Sequence, residues 1–124
     1  MKKLLFLPLV LIASFCFAQD AKEIIGKPIK IGNLLVAEND FPEYLNFEDA
    51  KKACRTLGKG WRLPSQIESN ILYKRRIKIE NVSEFDYYWN LSGKVFPLCE
   101  CAGPSDDMND KSYKHSVRAV KSSF

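Results

Sequence analysis

Three groups of side chains in this chain have types and spacings that could do chemistry. Cys54, Cys99, Cys101 and His115 form a Cys₃His set, the donors of many tetrahedral zinc sites. Their spacing is not that of a known zinc module, and thiols of exported proteins usually oxidise instead. Asp106, Asp107 and Asp110 offer closely spaced carboxylates, which suit calcium; the plain alternative is a solvated acidic loop. Lys74, Arg75, Arg76 and Lys78 crowd one short stretch. Clustered cations attract sulfated or phosphorylated polymers, although many such runs are ordinary charged helix surface. Lys51, Lys52, Arg55 and Lys59 could extend that face. Catalysis has little support. The chain has one histidine, no serine–histidine–acid set is legible, and few groups remain for acid–base work near neutral pH.

The ends bound where such groups would operate. Met1-Lys2-Lys3 is a basic start, and Leu4 to Phe17 is an almost unbroken apolar run. The run is shorter than the roughly 20 residues a membrane-spanning helix needs, so residues 1–18 read as a secretory signal peptide. Cys16-Phe17-Ala18 ends it in the small-x-small manner, which places Gln19 at the mature start. A lipoprotein is the rival reading because of Cys16, but Phe15 is large where lipoprotein processing wants a small residue. Residues 19–124 then form a single domain with a modest core. Loss of Lys2 and Lys3 takes the basic count from 19 to 17 against 15 acidic residues, a net charge of +2. That is not the balance of a nucleic-acid binder. Three cysteines remain, which gives one disulfide and one free thiol. A Cys99–Cys101 ring would be very small, so Cys54 is expected to pair with Cys99 or Cys101.

The elements that must position these groups follow from pattern. Asp20 to Lys27 is a polar lead-in. Ile29-Lys30-Ile31 and Leu34-Leu35-Val36-Ala37, separated by Gly32-Asn33, read as a strand or hairpin. Asn46 caps a helix whose Phe47, Ala50, Cys54 and Leu57 share a face. Glu48 and Lys52 form a favourable i,i+4 pair on it, and Gly58 stops it. Trp61-Arg62-Leu63 is extended ahead of Pro64. Ser65-Gln66-Ile67-Glu68 is a capping box, and the helix it opens runs to about Arg75 with Ile67, Ile71 and Leu72 inward. Phe85 to Leu91 is strongly β-prone, and Lys94-Val95-Phe96 is the returning strand. Pro97 to Asp110 is a long irregular loop. Tyr113 to Lys121 alternates as a closing strand, with Tyr113, His115, Val117 and Ala119 on one face and Ser116, Arg118 and Val120 on the other. Asn81-Val82-Ser83 and Asn90-Leu91-Ser92 match glycosylation sequons, which mean little in a bacterial chain.

The pieces that carry most meaning are Ile31-Gly32-Asn33-Leu34, Asn46-Phe47-Glu48-Asp49-Ala50 with Ala53-Cys54, Leu57-Gly58-Lys59-Gly60-Trp61-Arg62-Leu63-Pro64-Ser65, Tyr88-Trp89 with Ser92, and Val117-Arg118-Ala119-Val120. In this order they resemble the bacterial domain of unknown function 1566, also called the C-terminal domain of Legionella collagen-like proteins. The resemblance runs from Ile31 to Val120. It implies an α+β, C-type-lectin-like domain: two helices with a small twisted antiparallel sheet. Trp61, Arg62, Leu63, Pro64, Trp89 and Arg118 are then structural residues.

The resemblance also implies a non-enzymatic, secreted or periplasmic binding domain for carbohydrate, with sulfated glycans the sharpest guess and no cofactor. The runner-up is a structural or protein-interaction module with no small-molecule ligand. Many relatives staple the closing strand to the first helix through a cysteine. Here that position is Ala119, so Cys99 or Cys101 is the expected substitute. Calcium-dependent lectins use a Glu-Pro-Asn type loop and a Trp-Asn-Asp strand, and this chain has neither. Formylglycine-generating enzymes share the wider fold and use a cysteine pair, but their surrounding motif is absent. The leader gives the first prediction. Intact-mass measurement of the exported protein should show loss of residues 1–18; a lipidated Cys16 or an uncleaved start overturns it.

Overall fold

The computed structural model describes residues 21–83, 85–99 and 106–123, without the side chains of Asp106 and Asp107. The expected leader, Cys16, Cys101 and the Gly103-Pro104 part of the long loop lie outside the described residues. The chain is a small α+β domain with two antiparallel sheets.

The first sheet grows from a tight hairpin. Strand β1, Ile29–Ile31, pairs with β2, Leu34–Val36, in the register Ile31↔Leu34. Gly32 takes φ +59° at the first turn position, a left-handed geometry that a side chain resists and a two-residue hairpin of the II′ type requires. The far edge of β2 pairs with the last strand, β5, Val120–Ser122, giving the order β1-β2-β5. The second sheet is the hairpin of β3, Tyr87–Trp89, and β4, Val95–Pro97. Asn90 closes that hairpin. Its Oδ1 accepts from Ser92 N–H and Lys94 N–H, and its Nδ2 donates to Gln66 Oε1. The side chain is wholly buried, so the Asn90-Leu91-Ser92 triplet is a turn device.

Helix α1 is Phe47–Thr56, opened by Asn46, whose side chain accepts from Asp49 N–H at 2.9 Å. Phe47, Ala50 and Cys54 are its buried face. Its surface ion pair is Glu48–Lys51 at 3.2 Å, one position short of the expected Lys52. Helix α2 is Gln66–Lys74, and its capping box is complete: Ser65 Oγ accepts from Glu68 N–H and Glu68 Oε1 accepts from Ser65 N–H.

Four expectations need correcting. Residues 21–25 are helical, not a loose polar lead-in, and Ile24 is buried in the core. On α2 the inward residues are Ser69 and Leu72, whereas Ile67 is 74% and Ile71 41% exposed. The cause is rotation: Ser69 Oγ donates back to Ser65 O, and Arg62 grips Glu68, so the stripe through Ser65, Ser69 and Leu72 faces in. Trp61–Leu63 is not a full strand but a single bridge, Arg62↔Val120. The closing strand is also shorter than expected, with isolated bridges at His115 and Ser116 before β5. Residues 115–120 are all buried, so their alternation does not separate a wet face from a dry one. They run between two core clusters, one holding Val117 and Ala119 with Trp61, Leu63 and Trp89, the other Val120 with Leu72, Tyr88 and Phe96.

Between those clusters lies a buried charge. Arg118 is 0% exposed. Its Nε donates to Asp40 Oδ1 at 2.7 Å, its Nη1 to Ala37 O and Glu80 O, and its Nη2 to Asn81 O. Tyr88 O–H donates to the other Asp40 oxygen at 2.7 Å and accepts from Ser83 N–H. Removing one partner of such a pair strands a charge in the interior and costs about 3–5 kcal/mol. Arg118→Met should therefore lower unfolding free energy by about that much in a denaturant titration. Arg118→Met with Asp40→Asn should lose less than the two single changes together, because the pair is coupled.

Candidate functional site

The cationic run after α2 divides when its geometry is resolved. Lys74 ends the helix, and Arg75 caps it. Arg76 turns back: Nη1 donates to Tyr73 O at 2.7 Å, and the guanidinium lies 4.3 Å from the Tyr73 ring centre. Arg75 and Lys78 are exposed and point the other way, into a depression of about 160 Å³ shared with Lys30, Ile31, Gly32 and Ile71. Strand β1 of the hairpin thus supplies a third cation, Lys30, that lies far from the run in sequence. Sequence spacing alone could not show this, because it depends on the hairpin docking beside α2.

A second depression of about 380 Å³ adjoins the first through Ile31, Gly32 and Ile71, and continues past Asn33 and Leu34 to Ser122. A third, about 450 Å³, meets it at Ser122 and is lined by Lys59, Gly60, Arg62 and Lys121. The result is one shallow, winding surface. Its floor is the hairpin turn and Ile71, and cations stand at both ends. Lys121 Nζ lies 6.0 Å from the Trp61 ring centre. Lys51 sits elsewhere, 4.6 Å over the Phe47 ring, and does not join this surface.

Arg62 belongs to the floor more than to the charge. Nη1 and Nη2 donate to the two Glu68 carboxylate oxygens at 2.6 and 3.0 Å, and Nη2 also reaches Ser122 Oγ. That fork geometry favours the carboxylate. Hydrogen bonding from Arg62 holds Glu68 below its ordinary value of 4.5, against partial burial that pushes upward. Trp61 and Leu63, on either side, are buried, as is Pro64. Trp89 is 0% exposed, and its indole N–H donates to Leu45 O at 2.7 Å.

Among the described residues, the other candidate groups are taken up in packing and local hydrogen bonds. Cys54 is a buried free thiol, pushed up to about 12 by burial, so it is a poor nucleophile and metal ligand. Cys99 is disulfide-bonded, and not to Cys54. The expected bridge from Cys54 is thus absent. Cys54 packs under α1 with Ala50, Leu57 and Trp61, while Leu98, beside Cys99, packs in the opposite cluster. His115 sits edge-on to Trp89 at 4.9 Å. Its Nε2 lies 2.8 Å from Met108 O, which can only accept, so that nitrogen carries the proton. Asp110 accepts from the Ser112 N–H and hydroxyl, which hold its carboxyl below its ordinary value. Among the described residues no three His, Cys, Asp or Glu side chains converge as a metal site. No helix among them is long and apolar enough to cross a membrane.

Comparison with known proteins gives no match, either to a family model or to a curated protein.

Glu68 carries a pH signature. A carboxyl whose folded pKa lies below its unfolded one adds stability that is complete above the unfolded value. That stability is lost as pH falls through the folded value. Asp40 works in the opposite sense, because burial holds it above its ordinary value of 3.8 despite Arg118. Comparing wild type with Glu68→Gln therefore isolates the surface pair. The gap in unfolding midpoint should be widest near neutral pH and close as pH drops below about 4.5. A gap unchanged down to strongly acid pH overturns the assignment.

Proposed function

We propose that this chain is a secreted or periplasmic, C-type-lectin-like binding domain that recognises an anionic carbohydrate chain without catalysing a reaction. The family resemblance supplies the class. One observation carries the ligand: Lys30, Arg75 and Lys78 at one end of the winding surface, and Lys59 and Lys121 at the other. The exposed cations are spread along a path, as a polymer would meet them, not gathered around one deep pocket. An extended sulfated polysaccharide suits that path.

A second reading is an interaction module with no small-molecule ligand. It is favoured by Ile67 and Ile71, two aliphatic side chains spaced i,i+4 that face solvent from the same side of α2.

Heparin affinity separates the first reading from a plain charged surface. Retention of wild type should fall steeply with salt, since exposed charges are screened within about 8 Å at physiological ionic strength. Arg75→Ser with Lys78→Ser should elute at clearly lower salt, with stability changed by no more than about 0.5 kcal/mol. Arg76→Ser should shift elution far less, because that side chain is engaged with Tyr73. Co-elution of wild type and the double variant rejects this face as the site.

A further inference from the structure

The β1 strand offers more than charge. In a two-residue hairpin the residues flanking the turn form a hydrogen-bonded pair, and bonded and non-bonded pairs alternate from there. Ile31↔Leu34 is the flanking pair, so Lys30↔Leu35 is a non-bonded one. Leu35 turns its main-chain groups toward Lys121 on β5. Lys30 must turn its N–H and C=O the other way, off the open edge of the sheet. Among the described residues the order β1-β2-β5 leaves that edge without a strand, and no hydrogen bond reaches the Lys30 main chain.

The open edge lies beside the first depression, whose opposite wall is Ile71, Arg75 and Lys78. An unpaired edge is a template for another chain. Recognition by strand addition draws affinity from main-chain bonds and specificity from side chains that point alternately to one face. Side chains of an added strand that face α2 would meet Ile71 first and then the two cations. We propose that this edge docks an extended, acidic segment of a partner protein, with an apolar residue and an acidic residue two positions apart on the face toward α2. Charge complementarity selects the acidic residue; the aliphatic Ile71, 41% exposed at the rim, selects the apolar one. The edge is three residues long and follows Pro28, so it takes a short segment, not a sheet.

The inference deepens the interaction-module reading and shares Lys30, Ile71, Arg75 and Lys78 with the surface of the glycan reading. The probe is a fluorescent, end-capped peptide in which valine and glutamate alternate on one face and threonine fills the other. Binding is read by anisotropy on the mature protein. Saturable binding is expected. It should be lost when the peptide's alternate amides are N-methylated, which keeps every charge but removes the ladder donors. Replacing glutamate by lysine should also abolish it. On the protein side, Ile71→Ser should weaken binding at least tenfold. Lys30→Pro should do the same while keeping the thermal midpoint close to wild type, because an outward-facing edge N–H is one that proline can replace. Equal binding of the N-methylated peptide, or no binding of the parent peptide, overturns the proposal. Heparin retention of the unaltered protein is measured with no peptide present. That readout is independent of strand pairing, so the glycan reading stands or falls separately.

Discussion

The domain depends on the burial of one cation. Arg118 sits fully enclosed between the two core clusters, where an isolated charge would be prohibitively costly. It is tolerable because one carboxylate and three carbonyl oxygens surround it. Those acceptors come from the stretch after β2 and from the loop after the 3₁₀ turn at Arg76–Lys78. Asn81 in that loop has φ +59°, a left-handed conformation that asparagine tolerates better than most residues, while its carbonyl accepts from Arg118. The guanidinium thus fixes irregular backbone that no strand could hold. Asp40 extends the link to Tyr88 and the second hairpin. Four parts of the chain, distant in sequence, share one electrostatic knot. Its value lies in specifying how irregular segments pack, more than in net stabilisation.

A second polar contact sets what the surface presents. Arg62 holds Glu68 from outside α2 while the capping box holds it from within. Gln66, at the start of the same helix, receives Asn90 from the second hairpin. These contacts fix the rotation of α2 before any apolar residue is counted. Leu72 goes inward and Ile67 and Ile71 outward, so the helix shows solvent an aliphatic stripe that continues into Arg75 and Lys78. An ordinary amphipathic helix would have hidden those isoleucines. The motif Trp61-Arg62-Leu63-Pro64-Ser65 therefore does two things: its large apolar residues anchor the core, and its arginine decides which face of α2 is left exposed.

The legible parts of the sequence were those governed by local rules. Asn46 and Ser65 mark the two helix starts because short polar side chains cap orphan amides. Gly32-Asn33 marks a hairpin because glycine takes the required positive φ. What was not legible depends on distant partners. Leucine and isoleucine periodicity suggested the wrong inward face for α2, since hydrogen bonds from Arg62 override a weak apolar pattern. The Tyr113–Lys121 alternation overstated the closing strand, because burial on both sides removes the meaning of alternation. Cysteine arithmetic allowed one bridge but could not show that Cys54 stays a buried free thiol. The cationic face was half visible: Arg75 and Lys78 stand in the run, but Lys30 joins them only through the hairpin's docking, and Arg76 leaves it for Tyr73.

The division of polar groups between interior and surface bears on what the protein can do. Among the described residues, no buried side-chain nitrogen or oxygen lacks a hydrogen-bond partner. Arg118, Asp40, Tyr88, Asn90 and Ser69 are all used in holding the chain together. The groups with unmet capacity lie outside: the Lys30 main chain on an open edge, and the exposed charges of Arg75, Lys78, Lys59 and Lys121. Interactions spread this way are individually weak in water, since solvent and salt screen each one. They gain affinity by acting together along an extended partner, which can pair with several at once without one deep cavity. Both proposed partners, a polymer and an extended peptide, have that shape. The described core side chains hold the fold, and the exposed surface beside them is built from a hairpin and a helix face that the core fixes in place.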